Sequence, residues 1–302
     1  MALSRKQTTL VGAAPERTLP AARATWRPRR PSLAQVLVHG GLIIWAVLSL
    51  YPVVWVILTS LKYQAELYQN PFALPATLVW SNFRAAWLDA NMSRYFVNSG
   101  VVTLVSTVAL LFLASMCAFA LSRFTFRFKG VVWAYTLFGF LIPATLMLLP
   151  LGQLTRTLGL YNNIFGLALV YAAAGIPFNT FFLRAYMETI PHELEEAAII
   201  DGAGMWMVYW RVILPLARPA LTTMATFSML YSWSEFIFAL ILTGGSDAAR
   251  TLPVGISLIA TTYSSNEPTV AAAMVISLIP AVVLFAFLQR YVVQGLTAGA
   301  LK

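Results

Sequence analysis

The sequence predicts an all-α integral membrane protein with six transmembrane helices. Hydrophobic residues make up 59% of its 302 positions and charged residues only 10%, an apolar share above that of an ordinary water-soluble domain. The few charges fall so that they rule off six long apolar stretches. Lys and Arg are also unevenly shared between the gaps, as expected when basic loops set membrane orientation.

A charge at the centre of a spanning helix costs roughly 2.5 to 3.5 kcal/mol on insertion, so charge-free runs mark the spans. Residues 31–61, 95–122, 130–155, 157–183 and 268–289 contain no Lys, Arg, Asp or Glu, and 219–246 contains only Glu235. Each run is long enough to cross the hydrocarbon layer as a helix. The spans are placed at about 36–59, 97–121, 131–151, 164–183, 219–243 and 269–289, within a membrane domain of residues 34–294. Arg156, flanked by Gly152, Gly159, Asn162, Asn163 and Gly166, reads as a hairpin tip between the third and fourth spans. Pro143 and Pro150 interrupt the third, Pro177 the fourth and Pro280 the sixth; proline kinks a helix and frees carbonyls that neighbours must satisfy.

An even number of spans puts both termini on one side. Fifteen of the twenty Lys and Arg fall in the two termini and in the 123–129 and 184–218 loops, which makes that side cytoplasmic. Residues 1–33 carry seven arginines and lysines among Pro and Ala, the composition of a disordered tail beside anionic lipid. The net charge of +9 is scattered in short gaps and forms no nucleic-acid-binding patch. Cys117, the single cysteine, reads as a packing residue.

The 184–218 loop holds five of the eleven acids, Glu188, Glu193, Glu195, Glu196 and Asp201. It reads as two short helices. Pro191 suits a first helical position, and the acids after it sit where the helix dipole favours negative charge. Gly202 and Gly204 end that helix, and Trp206, Tyr209, Trp210 and Ile213 then share one helical face before Pro215 and Pro219.

Glu196-Ala197-Ala198, Gly202 and Val212-Ile213-Leu214-Pro215 have the order and spacing of the EAA loop in permease subunits of binding-protein-dependent ABC importers. Val212 stands where isoleucine is usual. IPHELEEAAIIDG from Ile190, AFALSRFTFRFKG from Ala118, LGLYNN from Leu158, Asn98-Ser99, Trp233 to Leu240 and the terminal GLTAGALK resemble the carbohydrate-uptake, maltose-type branch. Ser234 replaces the usual Asn between Trp233 and Glu235. The resemblance covers the chain from about residue 36.

It implies a type I ABC importer permease (MetI-like) bundle in a prokaryotic inner membrane. It also implies a cytoplasmic coupling helix in which Glu196, Ala197, Ala198, Asp201, Gly202, Leu214 and Pro215 meet a separate ATPase dimer. That ATPase would use the ATP and Mg, and this chain would bind no cofactor. The implied partners are a second homologous permease and an extracytoplasmic sugar-binding protein, contacted through 244–268 with Gly244, Gly245 and Pro253. The tail, 295–302, would reach toward the ATPase. Tyr231, Trp233 and Glu235 are candidates for pathway or gating.

The residues also weigh against other classes. None of the four lysines follows a glycine, so no P-loop is present. An ion-coupled transporter or channel, the alternative reading, places several ionisable groups inside its spans; here only Glu235 lies within one, with His39 near an end of the first. His39 and His192, far apart, supply no metal cluster or catalytic base for an intramembrane enzyme.

Overall fold

The computed structural model describes residues 32–263 and 266–300, with backbone alone for 144, 288 and 290–300. The amino-terminal tail through residue 31 and the last two residues of the carboxyl-terminal tail lie outside the described residues. Among those described there is no strand. The chain divides between Leu50 and Tyr51 into two units. The described part of the first is the opening of one apolar helix, α1 (Leu33–Ser60), which contains no charged residue.

In the second unit, α2 (Gln64–Gln69) and α3 (Ser81–Arg84), extended by a π turn over Ala85–Asp89, precede a long helix without proline, α4 (Met92–Arg123). The left-handed Asn91 (φ 57°) turns the chain into α4. That helix begins five residues before the expected 97, so Asn98 and Ser99 lie in its second turn. Next come α5 (Lys129–Leu141), a 3-10 turn (Ala144–Met147), α6 (Leu148–Thr157) and α7 (Ile164–Met187). The expected hairpin at Arg156 is the 158–163 turn, where Gly159 (φ 68°) and Asn162 (φ 56°) are left-handed.

Among the described residues four helices are long and apolar enough to cross a membrane singly, and six spans result if each of two bent pairs is one span. The sequence predicts each of the two as one span, the third kinked at its prolines and the fifth unbroken. The third span bends by 92° between Lys129–Leu141 and Thr145–Thr157. Pro143 is the cause: it has no N–H, and its ring drives Ile142 into extended backbone. The fifth span is α11 (Arg218–Ser234) and α12 (Ile237–Thr243), bent by 56° at an extended Glu235.

Between α7 and α11 lie α8 (Glu193–Ile200), α9 (Met205–Val208), a π turn (Tyr209–Ile213) and α10 (Leu214–Leu216). After α12 the expected outer loop contains a further apolar helix, α13 (Leu252–Thr262). The backbone of α14 (Glu267–Ala300) stays helical well past the expected end of the sixth span at 289, into the tail segment.

Three apolar clusters hold the second unit together. Along α4 and α7, Leu110, Ala114, Ala118, Leu183 and Met187 pack with Val208, Tyr209 and Ile213. Gly175 lets the two helices approach, since a Cβ there would lie 2.7 Å from Leu110 Cδ2. At the other end of α4, Met92 and Tyr95 join Trp233, Leu252 and Ile259. Gly255 of α13 lies against the Tyr95 ring, where a Cβ would overlap Cδ2. Between them, Val102, Leu167 and Tyr171 pack with Phe238, Leu242 and Val254.

Candidate functional site

The first site is the knob formed by α8 and the segment after it. Glu195 and Glu196 both donate their backbone N–H to His192 O, so the helix starts at Glu193. Pro191 lies just outside it and not at its first position. The helix closes where Gly202 N–H donates to Ile199 O and Ala203 N–H to Ala198 O, with Gly202 at φ +86°. Only a residue without Cβ adopts that conformation at no cost. A Cβ on Gly202 would meet nothing within 4 Å. The site therefore demands a backbone conformation, and a Cβ by itself would not wedge the two short helices apart.

The adjacent acids divide. Glu196, Ala197, Asp201 and Gly202 are exposed, whereas Glu195 is 5% exposed. Glu195 forms an ion pair with Arg123 at the end of α4. The shared face expected for Trp206, Tyr209, Trp210 and Ile213 is also divided. Tyr209 and Ile213 are buried, and Trp206 and Trp210 stay exposed. The wider π turn over 209–213 shifts the register that an ideal α-helix would keep. Tyr209 also shares a 2.8 Å hydrogen bond with Ser115 of α4. Leu214 packs against the same cluster, and Pro215 lies in α10.

The second site is the break in the fifth span. Glu235 accepts from Tyr171 Oη (2.6 Å), Phe238 N–H (2.9 Å) and Ala239 N–H (3.1 Å). It thus satisfies donors that the broken helix would leave unpaired in an apolar surround. The structure brings Glu235 and Tyr231 together through Tyr171, whose ring is 6.2 Å from that of Tyr231. Trp233 is held elsewhere: its indole N–H donates to Ser277 O, and its ring meets Phe96 edge-on. A cavity of about 400 Å³ lies beside this break, lined by Leu110, Tyr171, Phe178, Asn179, Tyr231 and Ser232 among others.

The third site is a clasp at the opposite end of α4. Asp247 accepts from Tyr95 Oη (2.6 Å) and Arg250 Nη1 (2.7 Å), with Arg94 3.6 Å away. The Tyr95 hydrogen bond, aided by Arg250 and Arg94 and opposed by partial burial, holds its carboxyl below the usual carboxylate range. Asn98 donates to Ala248 O and Arg250 O, and Leu252 N–H donates to Ser99 Oγ. Of the outer residues singled out in the sequence, Gly245 is exposed and Gly244 and Pro253 are half-buried. Sequence reasoning gave no role to Tyr95, Asp247 or Arg250; the available signal was the Asp247/Arg250 spacing.

No group of three or more metal-ligating side chains occurs among the described residues. A bundle of apolar helices with two broken spans, a knob at one end and a clasp at the other defines a multi-pass membrane transport subunit. Residues 110–298 match the family described as binding-protein-dependent transport system inner membrane component, and the chain belongs to that family. It is similar to a diacetylchitobiose uptake system permease of Streptomyces coelicolor, 33% identical over 87% of this chain and 88% of the relative. It is likewise similar to a trehalose transport system permease of Mycobacterium tuberculosis, 33% identical over 85% of this chain and 97% of the relative. A crystal structure of a bacterial ABC transporter involved in the import of the acidic polysaccharide alginate contains a chain matching this one. Its TM-score is 0.76 at 26% identity, covering 88% of this chain and 99% of that one.

Proposed function

We propose that this chain is one permease of an ATP-driven sugar importer, forming half of the solute path with a second homologous permease. In this reading α8 and its closing turn seat in a separate ATPase dimer, which alone hydrolyses ATP with Mg. The chain itself is non-catalytic and binds no cofactor. Both termini and the knob are cytoplasmic, and the 244–253 clasp faces an extracytoplasmic sugar-binding protein. The sugar cargo rests on what the similar permeases transport, diacetylchitobiose and trehalose among them.

The observation that carries the coupling role is the two-faced knob. Its inner face is fused to α4 and α7 through Tyr209, Ile213 and Met187, while Glu196, Ala197, Asp201 and Gly202 are left on the outside. An exposed carboxylate beside the exposed Ala197 offers a charge and a close approach to a basic groove, while Ala198 packs inward on the chain's own cluster. Glu235, held by three donors, serves as a helix cap beside the path.

The test pairs a pull-down of the ATPase with uptake in the same cells, comparing wild type with Glu196→Lys. Charge reversal at an interface ion pair costs on the order of 2 to 5 kcal/mol, so attachment should weaken at least about tenfold and uptake should cease. Full attachment and normal uptake in that variant would remove the coupling role.

A further inference from the structure

The Arg123–Glu195 pair lies inside the protein, on the side of α8 away from the proposed ATPase contact. The Arg123 side chain is 1% exposed and that of Glu195 7%. Among the ion pairs of the described residues, the others have at least one partner 46% exposed. Arg123 Nη2 also donates to Ile190 O at 3.0 Å, so one guanidinium holds both the entry to α8 and a side chain of its first turn. Such a pair is costly to bury and strongly destabilising to break, and it restrains geometry where an apolar contact would allow sliding.

Arg123 is the last residue of α4. At roughly 1.5 Å per residue, the 32 residues of that helix make a strut of about 48 Å. Its far end is fixed to the 247–252 clasp through Tyr95, Asn98 and Ser99. Thr103, Ser106 and Ser115 lie along the strut, and no proline falls within it. One continuous helix therefore joins the knob proposed to face the ATPase to the clasp proposed to face the binding protein.

We propose that Arg123 and Glu195 are positioning residues that lock the coupling loop to α4, so that movement at one docking face is delivered to the other. This rests on the coupling reading above. Glu196 makes the contact with the ATPase, and Glu195 beside it transmits it.

The test uses the complete complex reconstituted in lipid, with the binding protein isolated together with the solute it retains. Basal ATP hydrolysis, its stimulation by that binding protein, and ATPase attachment are measured for Arg123→Ala, Glu195→Ala, Arg123→Lys and the swap Arg123→Glu with Glu195→Arg. The single alanine variants are expected to keep the ATPase attached and hydrolysing while stimulation falls about tenfold, by the same amount in each. Lysine, which keeps the charge facing Glu195, is expected to restore stimulation to within about threefold of wild type, and the charge swap, which keeps the pair but has no donor for Ile190 O, to restore it in part. Unchanged stimulation in the alanine variants would overturn the proposal, as would loss of ATPase attachment, which would make the pair a support of the docking surface only. If the alanine variants do not fold or insert at all, the lysine variant decides: assembly without stimulation refutes the link. A wild-type complex that retains no ATPase would refute the coupling reading itself, before any variant is compared.

Discussion

Replacing Gly202 tests the knob through backbone conformation alone. The glycine sits at φ +86° with nothing within 4 Å of where a Cβ would project, so an added Cβ meets no steric contact. What remains is the cost of holding an L-residue in left-handed backbone, roughly 1 to 2 kcal/mol for most side chains, more for a β-branched one and less for asparagine. Gly202→Val should therefore reduce the population of the closed turn at least about tenfold, since 1.4 kcal/mol is a factor of ten, and Gly202→Asn by only a fewfold. Attachment of the ATPase to the detergent-purified chain, measured by titration, should follow the same ranking. The spans should insert equally in both variants, because Gly202 is exposed and lies outside the apolar clusters. Equal loss in Val and Asn variants would refute the conformational argument and point to a tightly filled interface. No loss in either would show that the turn is not part of the contact.

Membrane orientation is tested by thiol labelling in a Cys117→Ser background: Met205→Cys should resist an impermeant reagent applied to intact cells, and Gly245→Cys should react. Tyr171→Phe removes one of three donors to Glu235 and should destabilise the bundle by about 1 to 2 kcal/mol, read as a lower unfolding midpoint in detergent. Asp247 has a folded-state pKa below its unfolded value, so its stabilising contribution is present above the ordinary carboxylate pKa of about 3.9 and is lost as pH falls through the lower folded value. The clasp should hold from neutral to about pH 4 and loosen below it, seen as faster amide exchange over 244–252. Because Asp247 is 46% exposed, Asp247→Asn should cost only about 0.5 to 1 kcal/mol at neutral pH and abolish that acid dependence.

The apolar spans were legible in the sequence because charge exclusion from hydrocarbon acts on each stretch separately and needs no partner. The same holds for the ends of the knob: Gly202 was marked as a helix stop, and its left-handed conformation is a local property of the residue. Pro143 was marked as a kink, but its 92° outcome depends on what α5 and α6 pack against. The EAA spacing singled out Glu196 as the outward contact, yet nothing in the sequence showed that Glu195 beside it is buried. They are neighbours of identical chemistry, and only the approach of Arg123, 72 positions earlier, takes one inside.

Tertiary structure alone decided the rest of the site. Trp206 and Trp210 part from Tyr209 and Ile213 because a π turn changes the register. Trp233 turns to Ser277 while Glu235, two residues on, turns to Tyr171. The clasp joins Tyr95 to Asp247 across 152 residues. Apolar patterning constrains which faces are buried, whereas a hydrogen bond or ion pair needs two atoms within about 3 Å in the right direction. That condition is met by the packing of distant helices, and no local run of residues encodes it.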